Sequence, residues 1–225
     1  MIPLRDVIPS RTTPFITLTI IVINALAWLL EISMPPRQLN EFLYVYGVVP
    51  AAFAPPTLIT SMFLHGGWMH VIGNMWYLWI FGDNVEDRLG HGRFIVFYLL
   101  CGIAAALGQI VMDPTSTLPT IGASGAIAGV MGAYFVLYPT SRVLTLIPLI
   151  IIWEVVELPA IVLLGFWFLM QLFSAGSVAV TAATHGRGGV AFAAHVAGFV
   201  VGMGGVFIFR KRQRPPEYWM SDGRE

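Results

Sequence analysis

The polar residues of an otherwise apolar chain are where chemistry could reside. Ser124 stands among four glycines in IGASGAIAGVMGAY, residues Ile121 to Tyr134. His65, His70 and Asn74 share the run HGGWMHVIGN, and His195 lies in AAHVAGFVVG. The four-residue spacing of His70 and Asn74 places both on one helix face. A serine hydroxyl becomes a nucleophile when a base takes its proton, and histidine is the usual base. Acyl transfer also needs donors for the tetrahedral oxyanion. The Ser124 amide at a helix N-terminus, helped by the helix dipole, could serve with the side chains of His70 and Asn74. Asp113, the acid nearest Ser124 in the chain, precedes Pro114 in the third outer loop, and nothing in the sequence aims it at His195. A Ser-His dyad is therefore expected rather than a triad.

The elements that must position these groups follow from composition. The chain has 225 residues, is 57% hydrophobic and only 11% charged, with a mean hydropathy of +0.78. That is the composition of a membrane protein. Its 12 basic and 12 acidic residues cancel, so no overall field recruits nucleic acid. Cys101, the only cysteine, excludes an internal disulfide and makes a thiol metal cluster implausible. No internal repeat and no soluble domain is visible.

Stretches near the roughly 20 residues needed to cross a bilayer number six: Phe15 to Ile32, Trp68 to Leu89, Arg93 to Val111, Ser124 to Tyr138, Leu158 to Phe173 and Gly189 to Phe209. An all-α, six-span bundle is the expected fold. The fourth span would be only about 22 Å long, which sets its serine end below the membrane surface. Leu144 to Val156 is apolar but interrupted by Pro148 and Glu154. It reads as a continuation into the fifth span or a lead-in segment beneath it. Of the outer loops, Ser33 to Thr57 is rich in proline and aromatics and suits a structured loop. Ser174 to Gly189, rich in Gly, Ala, Ser and Thr, reads as a movable cover.

Orientation follows from Lys and Arg placement. With the N-terminus inside, Arg5, Arg11, Arg88, Arg93, Arg142, Arg210, Lys211, Arg212, Arg214 and Arg224 are internal, and only Arg37 and Arg187 are external. Both termini are then cytoplasmic. The chain divides into a cytoplasmic segment 1–14, a membrane domain 15–209 and a basic cytoplasmic tail 210–225 that meets anionic lipid. Spans two, four and six start at the outer face, which brings His70, Asn74, Ser124 and His195 to one depth. Gly125, Gly129 and Gly132 form one small-residue stripe; Ala191, Ala194, Gly198, Gly202 and Gly205 form another. Such stripes let helix backbones approach closely in lipid. If they face each other, Ser124 and His195 come within hydrogen-bond reach.

His70-x-x-x-Asn74, Gly122-x-Ser124-Gly125 and His195-x-x-Gly198-x-x-x-Gly202, in this order over six spans, resemble the rhomboid intramembrane serine proteases. The likeness covers about Ser61 to Phe209, including His65 and the run VEDRLG from Val85 to Gly90. It implies Ser124 as nucleophile, His195 as general base, and His70, Asn74 and the Ser124 amide as oxyanion hole, with no cofactor and no metal. Its implied substrates are transmembrane proteins in the bilayer, cut near the outer face. Two positions depart from the family pattern: Ala128 stands where many relatives carry an aromatic, and the Trp-Arg pair some carry in the first outer loop is absent.

Other classes compete. Small-residue stripes occur as pure packing motifs, and His195 alone would suit a structural histidine; neither explains Ser124, His70 and His195 at one depth. His65 reads as structural, and Gln109 and Gln171 as interhelical hydrogen-bonding residues. A catalytically inactive rhomboid-like binding protein or chaperone is the main alternative, and the presence of both Ser124 and His195 favours the enzyme. A metal site from His65, His70 and His195, or a transporter, comes third; the inner halves of the spans show no polar path apart from Gln171 and loop-adjacent charges. The compact form fits a bacterial inner membrane, and self-association is open.

Overall fold

Helices and a small sheet make up most of the chain in a computed structural model, which describes residues 1–149, 152–185 and 191–211. The helices are α1 (Phe15–Ser33), α2 (Pro36–Tyr46), α3 (Thr57–Thr60), α4 (Trp68–Leu89), α5 (His91–Met112), α6 (Ser124–Leu137), α7 (Ala160–His185) and α8 (Phe192–Phe209). Among the described residues α1, α5 and α8 are long and apolar enough to cross a bilayer, whereas α6 and the first part of α7 are shorter apolar helices. α4 is 22 residues long, but its last turns carry Asp83, Glu86, Asp87 and Arg88.

Three strands depart from the all-helical expectation. β1 (Ile2–Asp6), β2 (Arg142–Leu149) and β3 (Ile152–Pro159) form an antiparallel sheet in the order β1-β2-β3. The described residues of Leu144 to Val156 therefore lie in two paired strands that lead into α7, and the stretch is not a helical continuation of the fifth span. Its β-branched content suits strands, and Pro148 and Pro159, which would break a helix, fall near the strand ends opposite Trp153 and Arg142. Val143 and Thr145 alternate inward and are fully buried. Within the segment 1–14, Ile2 pairs with Leu146 and Asp6 with Val143.

The sheet is fastened to α4 and α6. The Asp6 carboxylate accepts from Asn84 Nδ2 at 2.9 Å and from the Tyr134 hydroxyl at 2.7 Å, while the Trp76 indole N–H donates to the Pro3 carbonyl at 2.6 Å. Glu86, fully buried, accepts from the amides of Ile16 and Thr17 at 2.9 and 2.8 Å and from the Thr17 hydroxyl at 2.7 Å. It satisfies first-turn N–H groups of α1 that no helical carbonyl can reach. Asp87 does the same for the backbone of Arg11 and Thr12 just upstream.

α6 is the centre of the bundle, buried continuously from Gly125 to Tyr134. Its glycine stripe lies between α5 and α8: a β-carbon on Gly125 or Gly129 would meet Ala105 or Cys101 of α5, one on Gly132 would overlap the Phe199 carbonyl, and one on Gly198 or Gly202 of α8 would overlap the carbonyls of Gly125 and Gly129. Only small residues permit this backbone contact. Gly205, expected in the same stripe, instead faces Phe97 of α5.

The segment expected as a mobile cover is helical as far as His185. It holds Ala175, Ala179, Ala182 and Ala183 and no proline, which favours helix over loop. The rest of it, 186–189 with Arg187, lies outside the described residues, as does the part 212–225 of the tail, with Arg212, Arg214 and Arg224.

Candidate active site

The end of the bundle opposite the sheet gathers the N-terminal ends of α4, α6 and α8. Ser124 opens α6, and its Oγ lies 2.8 Å from His195 Nε2. The close α6–α8 contact sets this distance, because Gly125 and Gly198 touch one turn or less from the two side chains. His195 is 9% exposed and Ser124 half-buried.

The approach to Ser124 is fixed from outside the helices. Val48 and Thr120 exchange backbone hydrogen bonds of 3.0 and 2.8 Å, and the Gly122 amide donates to the Ser61 carbonyl at 2.9 Å. The segment between α1 and α4, in which α2 forms, thus holds the stretch that leads into α6. No Trp-Arg pair is needed for this; the anchor is backbone pairing. Gly122 has φ +125°, a conformation that L side chains rarely adopt, and a β-carbon there would sit 2.7 Å from His70 Nε2.

His70 Nδ1 accepts from the Gly66 amide at 3.3 Å. A neutral imidazole that accepts at one nitrogen donates at the other, so its Nε2–H faces Gly122 and, beyond it, Ser124. At the start of α6 the Ser124 amide has no carbonyl one turn earlier within the helix. Asn74 is placed differently from the other three. It is buried, and its amide nitrogen lies 3.0 Å from His65 Nε2. His65 stands edge-on to His70, ring centroids 5.0 Å apart, and its backbone amide donates to the buried Glu31 carboxylate at 3.1 and 3.2 Å. Asn74 is thus tied to the group behind His70.

Two residues of α7 complete the surroundings of His195. Gln171 Oε1 lies 2.8 Å from His195 Nδ1. The Trp167 ring, one turn earlier, lies 5.8 Å from the imidazole, and Phe192 stands perpendicular to it at 6.5 Å. Ala128, fully buried, offers no ring; Trp167 supplies from another helix the aromatic contact that position lacks. The sequence offered Gln171 as an interhelical hydrogen bond and gave no sign of its partner, 24 residues away across two helices. Trp167 was hidden among lipid-compatible aromatics. Among the described residues, no group of three or more His, Cys, Asp or Glu could hold a metal.

A helical bundle with a half-buried serine beside a buried histidine at one end defines a class, and the comparisons agree on it. The family model described as the Rhomboid domain matches residues 54–212. The chain belongs to the rhomboid family and is an integral membrane protein. It is similar to the rhomboid protease GluP of Bacillus subtilis (strain 168), 35% identical over 129 residues that cover 56% of this chain and 24% of that protein. It is also similar to the mitochondrial Rhomboid protein 1 of Saccharomyces cerevisiae, 34% identical over 92 residues, 39% of this chain and 27% of that one. The mitochondrial presenilin-associated rhomboid-like protein A of Danio rerio is 29% identical over 175 residues, 74% of this chain and 43% of that protein. The chain spans less than half the length of each of these three relatives.

Proposed function

We propose that this chain is an intramembrane serine endopeptidase that cleaves transmembrane helices of other proteins near the outer face of the membrane. The observation that carries the reading is the 2.8 Å contact between Ser124 Oγ and His195 Nε2 at the buried end of the bundle. Ser124 Oγ attacks the scissile carbonyl carbon as His195 Nε2 takes its proton. The oxyanion is met by the Ser124 amide and His70 Nε2–H, with Asn74 supporting this group through His65 or donating directly. Collapse returns the proton from His195 to the leaving amine and leaves an acyl-enzyme. Water, deprotonated by His195, then adds to the ester carbonyl; Ser124 leaves, regaining its proton, and a free carboxylate is released. A helical substrate must unwind locally, since its carbonyls are already bonded.

The membrane reading has six spans, α1, α4, α5, α6, α7 and α8, within 15–209, flanked by cytoplasmic segments 1–14 and 210–225. Arg5, Arg11, Arg88, Arg93, Arg142, Arg210 and Lys211 all lie at the sheet end and only Arg37 among the described residues lies at the other, which supports a cytoplasmic sheet. A bacterial inner membrane fits this orientation. The test is a fluorophosphonate probe on the folded protein in detergent, with expected labelling at Ser124 alone, lost in Ser124→Ala and His195→Ala. Labelling that persists in Ser124→Ala refutes the nucleophile; a folded native protein that is never labelled supports an inactive rhomboid-like binding protein instead.

A further inference from the structure

We propose that Gln171 is a positioning residue for the proposed hydrolysis: its amide oxygen fixes the tautomer of His195 and so decides whether the histidine can act as a base. The proposal rests on the dyad reading of Ser124 and His195. Its ground is that both ring nitrogens are engaged, Nε2 with Ser124 Oγ at 2.8 Å and Nδ1 with Gln171 Oε1 at 2.8 Å. A neutral imidazole has one N–H and one bare nitrogen. An amide oxygen only accepts, so the proton resides on Nδ1, and the bare Nε2 lone pair meets the serine hydroxyl. Turned the other way, the Gln171 NH2 would donate to Nδ1, the proton would move to Nε2, and His195 would donate to Ser124 instead of accepting from it. The hydrogen bond thus does for a dyad what a carboxylate does for a triad, without burying a charge.

The ring's plane is held from the same helix. Trp167 and Gln171 are four residues apart and share one face of α7. Trp167 lies 5.8 Å from the imidazole at an interplanar angle of 36° and 6.0 Å from Phe199, one turn beyond His195 on α8. α7 therefore presents a ring contact and a polar contact to one imidazole. A plain interhelical tie needs a donor and an acceptor anywhere along α7 and α8; this one ends on the nitrogen that governs the other nitrogen's lone pair.

The test uses full-length native protein, Gln171→Met and Gln171→Glu, each checked for native thermal unfolding. Methionine keeps the length and loses the acceptor; glutamate keeps an acceptor oxygen. Three quantities are read: kcat and KM on a transmembrane reporter in proteoliposomes, fluorophosphonate labelling rate, and the 15N signals of the His195 ring. Gln171→Met is expected to lower kcat by about 10- to 1000-fold. That range lies between the loss of one net hydrogen bond and the roughly 10⁴-fold cost of a wrong tautomer. KM should hardly change, and an Nε2–H signal should appear. Gln171→Glu is expected to stay within about tenfold of native, since an acceptor remains. Native kcat in Gln171→Met, an Nε2–H tautomer in the native protein, or a Gln171→Glu as slow as Gln171→Met would each overturn the proposal. If the folded native protein neither cleaves nor labels, the dyad reading fails. The 15N signals of native and Gln171→Met protein then still decide whether Gln171 sets the tautomer.

Discussion

Replacing Gly122 by alanine is expected to separate fold from catalysis more cleanly than removing a catalytic atom. The new β-carbon would lie 2.7 Å from His70 Nε2 and 2.8 Å from Cε1, but 3.6 Å from Ser124 Oγ. The serine is in ordinary contact and need not move, whereas the His70 ring must retreat by about 0.7 Å to reach van der Waals separation. The 3.3 Å bond from the Gly66 amide to Nδ1 is already long, so this shift breaks it and frees the ring from the orientation that, in the proposed mechanism, aims Nε2–H at the oxyanion. Loss of one oxyanion donor costs about 10²- to 10³-fold in kcat, roughly 2.7–4 kcal/mol. Alanine at φ +125° adds about 1–3 kcal/mol of backbone strain, offset by at most ~1 kcal/mol from a stiffer unfolded chain. The expected protein is folded, with a modestly lowered unfolding midpoint and turnover down by about two orders of magnitude, KM little altered. The assay pairs reporter cleavage in proteoliposomes with thermal unfolding in the same detergent. Turnover within twofold of native would refute both the crowding argument and the donor role of His70.

Glu86→Ala leaves the Ile16 and Thr17 amides without acceptors at a buried helix start; at about 1–3 kcal/mol per orphaned group, a loss of several kcal/mol should appear in unfolding by heat or denaturant. Gly202→Ala should destabilise by about 1–3 kcal/mol, although alanine is the better helix former by up to ~1 kcal/mol, because its methyl would overlap the Gly129 carbonyl; an unchanged midpoint would show that α6 and α8 are not in backbone contact. Burial raises the Asp6 carboxyl from 3.8 to about 6, with the neighbouring Asp83 adding to the shift and the Tyr134 hydroxyl opposing it. A folded-state pKa above the unfolded one means stability present at low pH and lost as pH rises through about 6. Protease access to residues 1–14 should therefore increase between pH 5 and pH 7.5, and Asp6→Asn, always neutral, should flatten that dependence.

The placement of Ser124, His70 and His195 at one end of the bundle was legible because it needs only parity: each opens a helix that starts on the same side. The α6–α8 contact was legible because glycine at helical spacing has few other uses in an apolar helix. The pairing of β2 with β3 was not. Val143, Leu146, Val155 and Val156 are apolar on both strand faces, so no alternation of period two stood out, and a membrane composition favours helix as the default reading. Gln171 and Trp167 were invisible as partners of His195 because their effect depends on how α7 is rotated about its axis, which no spacing within α7 encodes. Asn74 was assigned through its helix face and the family resemblance; that face also points toward His65, which lies upstream of the helix, where a periodicity argument does not reach.

The sheet has a consequence for the order of assembly. β1 is the first stretch of the described chain to be made, yet its partner β2 begins at Arg142. Roughly 135 residues separate them, so at about 5–20 residues per second synthesis runs for some 7 to 27 s before the pairing edge exists. During that interval α1, α4, α5 and α6 can already be placed, while Ile2–Asp6 waits unpaired. Closure of the sheet then joins β1 to strands that follow the serine-bearing helix, and can clasp α1, α4, α5 and α6 together before α7 and α8 are made.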